Sequence, residues 1–177
     1  MKKAVQYVLI FVLFLTIGSL IATFFAKSEH EVSMQRTVAK SVDSCWNYLS
    51  DTMHATQWMT NLIGIHSKST NDSAWVMEAT YKHSSGTELN VEQKWYGDSD
   101  QKSLTIRSSV EGDLDMIQEV RLLQQEHTDS TISLLKNTIQ IHSWLNRLLM
   151  TGLSGESGLP AQTAAEIDRL ATSILKR

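Results

Sequence analysis

The chain has 177 residues, 42% of them hydrophobic and 20% charged, with 8 Gly, 1 Pro and 1 Cys, a composition that excludes a disordered tail, a collagen-like rod and a disulfide-stapled miniprotein. A formal net charge of −3 gives no electrostatic reason for a polyanionic partner, so nucleic-acid binding is disfavoured. The size fits one domain plus an appendage.

The first segment, Ala4 to Ala26, carries no Asp, Glu, Lys, Arg or His, and only Gln6, Thr16, Gly18, Ser19 and Thr23 interrupt its apolar or aromatic run. As a helix it measures roughly 34 Å, enough for a hydrocarbon core of about 30 Å. A cleaved secretory signal has a shorter apolar core and small residues at −3 and −1 of the cut. Here Phe24 and Phe25 precede Ala26 and Leu20 stands two before Ala22, so an uncleaved transmembrane anchor is expected. Lys2 and Lys3 flank one side, while Lys27 on the other is diluted by Glu29 and Glu31. The positive-inside bias then puts the N-terminus in the cytoplasm and the remainder outside a single-pass inner (plasma) membrane, in the periplasm or other extracytoplasmic space. The division is an anchor at 1–27, a hinge at 28–30 and a domain at 31–177. Cys45 alone cannot form an intramolecular bridge and does not decide compartment.

Glu31 to Ala39 reads as a first strand, with Val32, Met34 and Val38 on one face. Ser41 or Asp43 caps a short helix bearing Val42, Cys45, Trp46 and Leu49, and a second short helix covers His54 to Thr60 with Trp58. From Leu62 the period becomes two. Trp75, Met77, Ala79 and Tyr81 share a face, as do Leu89, Val91, Gln93 and Trp95, then Leu104, Ile106, Ser108 and Val110, then Leu114, Met116, Gln118, Val120 and Leu122. Turns at 71–73, 84–86, 97–100, 111–113 and 127–129 make this an antiparallel meander. A last strand, Ser130 to about Ile141, has blurred parity, and its faces stay unassigned. Trp144 to Met150 is expected as helix and Gly152 to Gly158 as loop. A final helix begins at Pro160, with Ala164, Ile167, Leu170, Ala171, Ile174 and Leu175 as its apolar stripe against Glu166, Asp168, Arg169 and Lys176.

Strand, two short helices, about six antiparallel strands and an amphipathic helix imply an α+β fold in which a curved sheet grips the terminal helix, because that helix is the long element available to cover the apolar face. Such a grip leaves an apolar pocket with few polar groups. In this order of elements, and in the stretches Val32 to Asp51, the Trp58 helix and Ser143 to Leu175, the chain resembles the START-like, or SRPBCC, superfamily, in particular membrane-anchored polyketide cyclase/dehydrase family proteins. Where such families often have a proline before the first helix, this chain has Ala39-Lys40-Ser41. The resemblance implies a helix-grip domain that binds a lipid-like, polyketide-like or other hydrophobic molecule, in a family with catalytic and purely binding members.

Candidate ligand-binding residues are Trp58, Met77, Tyr81, Val91, Gln93, Trp95, Ile106, Met116, Gln118 and Val120; taken singly, each is better explained as packed core, and as a set they are more informative. Gln93 and Gln118 stand out because an inward-facing amide needs a hydrogen-bond partner. The six histidines show no metal-ligand spacing, so no metal site is expected, nor is a cofactor called for. The strand acids Glu78, Glu88, Glu92 and Glu119 fall on the polar parity, leaving Tyr81 and His83 as the pair to test for proton transfer; a strand-end histidine hydrating at the rim is the simpler alternative. The run Gly152 to Gly158 fits neither a GxSxG elbow nor a phosphate loop, and Cys45 lacks the basic neighbour an activated thiolate needs. The expected function is binding of a hydrophobic small molecule or lipid by a membrane-anchored domain. The alternatives are a cyclase/dehydrase-type enzyme or an envelope protein-interaction module without ligand.

Overall fold

The computed structural model describes residues 2–25, 28–71, 74–82, 86–110, 114–126, 128–143 and 158–176. The first element is a helix, α1 (Lys2–Phe25), lying where the anchor is expected. Its described side chains, at 6–18 and 21, are all exposed, among them Tyr7, Phe11, Leu13 and Phe14. Among the described residues no helix is long and apolar enough to cross a membrane.

β1 (Glu29–Val38) follows. It begins two residues earlier than its alternation suggests and absorbs Glu29 and His30 from the expected hinge, because these pair with Gln140 and Ile139 of the last strand. α2 (Val42–Leu49) is capped by Ser41, whose hydroxyl accepts from the Ser44 amide at 3.3 Å. The predicted second helix is two pieces, a 3-10 turn (Thr52–His54) capped by Asp51 and a single helical turn, α3 (Ala55–Trp58). Five antiparallel strands then run in sequence: β2 (Leu62–Asn71), β3 (Ala74–Lys82), β4 (Glu88–Asp98), β5 (Ser103–Val110) and β6 (Leu114–Gln124). β7 (Thr131–Ile141) returns beside β1, and α4 (Gly158–Leu175) closes the described chain. The expected helix at 144–150 and most of the expected loop lie outside the described residues. α4 starts at Gly158 rather than Pro160, with Pro160 still in the first turn, where its missing N–H breaks no helical bond.

The described strands form a seven-stranded sheet in the order β1-β7-β6-β5-β4-β3-β2. Its inward rows pair in register, so that Leu104, Val120 and Leu135 meet across β5, β6 and β7 and are all fully buried. α4 packs on β1, β7 and α3, and Ile167, Leu170 and Ile174 enter the same core as Trp46, Leu49 and Trp58. An Arg36–Asp168 ion pair ties β1 to α4 at the surface. The β7 faces are now assigned: Thr131, Ser133, Leu135 and Asn137 point inward and are buried, while Ile132 and Leu134 lie on the opposite face. The parity is blurred because Thr131, Ser133 and Asn137 share the inward row with Leu135 and Ile141, while Ile132 and Leu134 lie opposite.

Candidate functional site

The interior is apolar at one level and polar at the next. One register step from the Leu104–Val120–Leu135 row, Ile106 opposes Gln118 and Gln118 opposes Asn137. One step further, Gln93 opposes Ser108 and Ser108 opposes Met116. Four polar side chains, Gln93, Ser108, Gln118 and Asn137, thus cross the inward face of β4 to β7 as a band, each no more than 3% exposed.

Above the band lies Glu166 of α4, only 2% exposed. The sequence pattern puts it on the wet side of the helix; the structure does not. The buried positions are Thr163, Glu166, Ile167, Leu170 and Ile174, a stripe turned away from Leu175, which is exposed. Burying a carboxylate is costly unless donors surround it, and here they do. Oε2 accepts from Gln118 Nε2 at 2.8 Å and from Asn137 Nδ2 at 3.1 Å. Oε1 accepts from Gln162 Nε2 at 3.0 Å and from the Thr60 backbone amide at 3.2 Å. The carboxylate therefore joins β6, β7, α4 and the segment after α3.

The two amides keep a free end. Gln118 Oε1 and Asn137 Oδ1 are buried without a hydrogen-bond partner, a situation that costs about 1–3 kcal/mol per group in a closed protein. Next to them, Gln93 is fully engaged. Its Nε2 donates to the Tyr81 hydroxyl at 2.7 Å and to Ser108 Oγ at 3.0 Å, and its Oε1 accepts from Trp95 Nε1 at 3.1 Å. Burial holds the Tyr81 phenol well above its ordinary ionisation range; the hydrogen bond from Gln93 opposes this and the Glu166 charge adds to it.

The sequence-predicted residues fall into two groups. Trp58, Trp95, Ile106 and Val120 retain at most 1% of their surface and pack in the core; Met77 and Val91 are nearly as buried. Gln93 and Gln118 belong to the polar band. Tyr81 and Met116 are half-buried, as is Ile139 opposite Met116. His83 lies outside the described residues, so the Tyr81–His83 pair is not described. Asn137 and Glu166 escaped the sequence reading, although the i, i+3, i+4, i+7 spacing of Thr163, Glu166, Ile167 and Leu170 was there to suggest that the stripe includes the acid.

Elsewhere, a depression of about 420 Å3 on the outer face of the sheet is lined by Glu92, Lys94, Tyr96, Arg107, Asp115 and Gln140, among others. Two of its charges engage neighbours: Arg107 lies over the Tyr96 ring at 5.7 Å from the centroid, and His142 meets Asp115 at 2.9 Å. Among the described residues no group of three or more His, Cys, Asp or Glu is placed to hold a metal ion. Burial pushes the Cys45 thiol above its ordinary value, with a hydrogen bond to Thr131 opposing.

No family model and no curated protein matches the sequence. Solved structures do match in shape. The Zhui aromatase/cyclase of a Streptomyces species superposes with a TM-score of 0.67 at 13% identity, over 84% of this chain and 95% of that one. A START superfamily protein from Mycobacterium smegmatis gives 0.61 at 14% identity over 84% and 96%. Norcoclaurine synthase from Thalictrum flavum gives 0.60 at 12% identity over 89% and 92%.

The fold is START-like. The helix-grip arrangement expected from the order of elements is therefore the right one, and the polar band with Glu166 lies between the sheet and gripped helix of a START-like domain. At these identities the likeness concerns the fold and carries no residue roles across.

Proposed function

We propose that this START-like domain binds a hydrophobic small molecule or lipid between sheet and helix, and that the N-terminal segment tethers it to a membrane. The observation that carries the binding reading is the buried polar band: Gln118 and Asn137 present unsatisfied amide oxygens beside Tyr81 and Met116, in a fold whose terminal helix packs on β1, β7 and α3. A few polar groups at fixed positions in an apolar surround are what orients a ligand in such a site. Tyr81, Gln93, Met116 and Gln118 are the contacts we favour, with Met77 and Val91 beside them and Trp58, Trp95, Ile106 and Val120 as the rigid wall. Burying a few hundred Å2 of ligand at about 25 cal/mol per Å2 supplies several kcal/mol, enough for micromolar capture. No cofactor enters this reading.

The tether is supported by the 23 uncharged residues from Ala4 to Ala26. Its lysine flanks favour a cytoplasmic N-terminus and an extracytoplasmic domain. Organic extraction of the purified full chain, followed by mass spectrometry, tests the binding reading. A defined hydrophobic species in near-stoichiometric amount is expected; a chain that is empty and also fails to take up neutral hydrophobic dyes overturns it. Resistance of the chain to alkaline extraction from membranes is expected for the tether, and release into the soluble fraction overturns that part.

A cyclase-type reaction is the second reading, favoured by one observation: Tyr81 is a half-buried hydroxyl whose proton is held firmly and whose oxygen already accepts from Gln93. In that role it donates a hydrogen bond to a ligand oxygen rather than removing a proton. Retention of ligand conversion by Tyr81→Phe would exclude it.

A further inference from the structure

Resting on the ligand-binding reading above, we infer that the site is selective for ligands whose polar end donates hydrogen bonds, an alcohol, phenol or amine, and that it rejects carboxylates. The reason is an imbalance in what the buried groups have left to offer. A carboxylate oxygen only accepts, so the nitrogens of Gln118 and Asn137 must be the atoms turned to Glu166, and this fixes their oxygens on the far side. Those oxygens are among the buried side-chain atoms without partners, as are the hydroxyls of Thr60 and Ser133. Gln93 has committed both amide hydrogens, to Tyr81 and Ser108. Gln162 and the Thr60 amide are turned to Glu166 as well. Each side-chain amide nitrogen of the cluster has at least one partner, while the amide oxygens of Gln118 and Asn137 have none.

Charge points the same way. The described partners of Glu166 are neutral donors, so the helix brings a negative charge into the grip with no cationic partner among the described residues. A ligand ammonium supplies the missing positive charge; a ligand carboxylate adds a second negative one in a poorly screened interior. A ligand hydroxyl gives its proton to Gln118 Oε1 or Asn137 Oδ1 and can accept the one that the Tyr81 hydroxyl still carries. A carboxylate has no proton to give to either oxygen.

Three probes of one chain length, 1-dodecanol, dodecylamine and dodecanoate, separate the possibilities. Each is titrated at neutral pH against full-length protein in lipid nanodiscs, with empty nanodiscs subtracted and displacement of a neutral hydrophobic dye as the readout. The alcohol and the amine are expected to bind about tenfold or more tighter than the acid. Glu166→Gln is expected to lower amine affinity about tenfold, to leave the alcohol within a few-fold, and to narrow the gap to the acid. Dodecanoate binding as well as the alcohol overturns the selectivity and leaves hydrophobic-ligand binding standing. Failure of all three and of the dye to bind overturns the ligand-binding reading itself. The wild-type order decides the matter even if the variant does not fold.

Discussion

Gln118 and Asn137 stand opposite one another on β6 and β7 and turn their amide nitrogens onto the same oxygen of Glu166. The pairing makes the terminal helix part of the sheet's hydrogen-bonding interior. It also sets the helix rotation, since a turn of one residue would move Glu166 away from both amides.

Removing this carboxylate should therefore hurt more than its helix position suggests. Glu166→Ala leaves four donors facing a cavity and is expected to cost about 3 kcal/mol, whereas Glu166→Gln, which keeps the volume and an oxygen, should cost about 1 kcal/mol. Denaturant midpoints of the two variants and the parent check the order.

The Tyr81 phenol should resist ionisation. Its folded-state ionisation lies above the unfolded value of about 10. The folded chain thus holds this proton more tightly, and the stability linked to it is complete below pH about 10 and is lost as pH rises beyond that towards the folded-state value. The difference between the phenolate absorbance titrations of the parent and Tyr81→Phe measures it. A midpoint at or below pH about 10 would mean that Tyr81 is open to water.

Gly97 on β4 lies against the Trp75 ring. A Cβ there would come within 3.0 Å of Trp75 Cη2, 3.1 Å of its Cζ3 and 3.7 Å of Trp46 Cη2. Gly97→Ala should then force the indole aside and cost about 1–2 kcal/mol, with the tryptophan fluorescence shifted. A variant of unchanged stability would show that the ring yields freely.

Asp115 meets His142 on the outer face, and hydrogen bonds from His142 and Ser109 hold its carboxyl below the ordinary value. The associated stability is present above the unfolded carboxylate value of about 4 and fades as pH falls through the folded one. The pair is substantially exposed, so His142→Ala should cost less than about 0.5 kcal/mol while moving the Asp115 titration upward in a carboxyl-resolved NMR experiment.

The parity of β3 to β6 is legible in the sequence because each strand keeps a mostly apolar inward row, and within those rows Gln93 and Gln118 are conspicuous as amides. β7 defeats the same test: Thr131, Ser133 and Asn137 face inward alongside Leu135 and Ile141 while Ile132 and Leu134 face out, so hydropathy does not separate the faces. Glu166 is hidden for a related reason. An acid on an amphipathic helix reads as solvated unless its donors are known, and those donors come from 48 and 29 positions away, a distance that no local pattern spans. The short helix before β2 is mistaken in length because it is held by Asp51 and by burial of Trp58 rather than by helix propensity.

β1 is among the first segments to leave the ribosome, yet its hydrogen-bonding neighbour is β7, about a hundred residues later. The grip cannot close until nearly the whole polypeptide has been synthesised. Such a topology folds late and slowly, and until then the nascent chain carries an open strand edge that chaperones would have to shield.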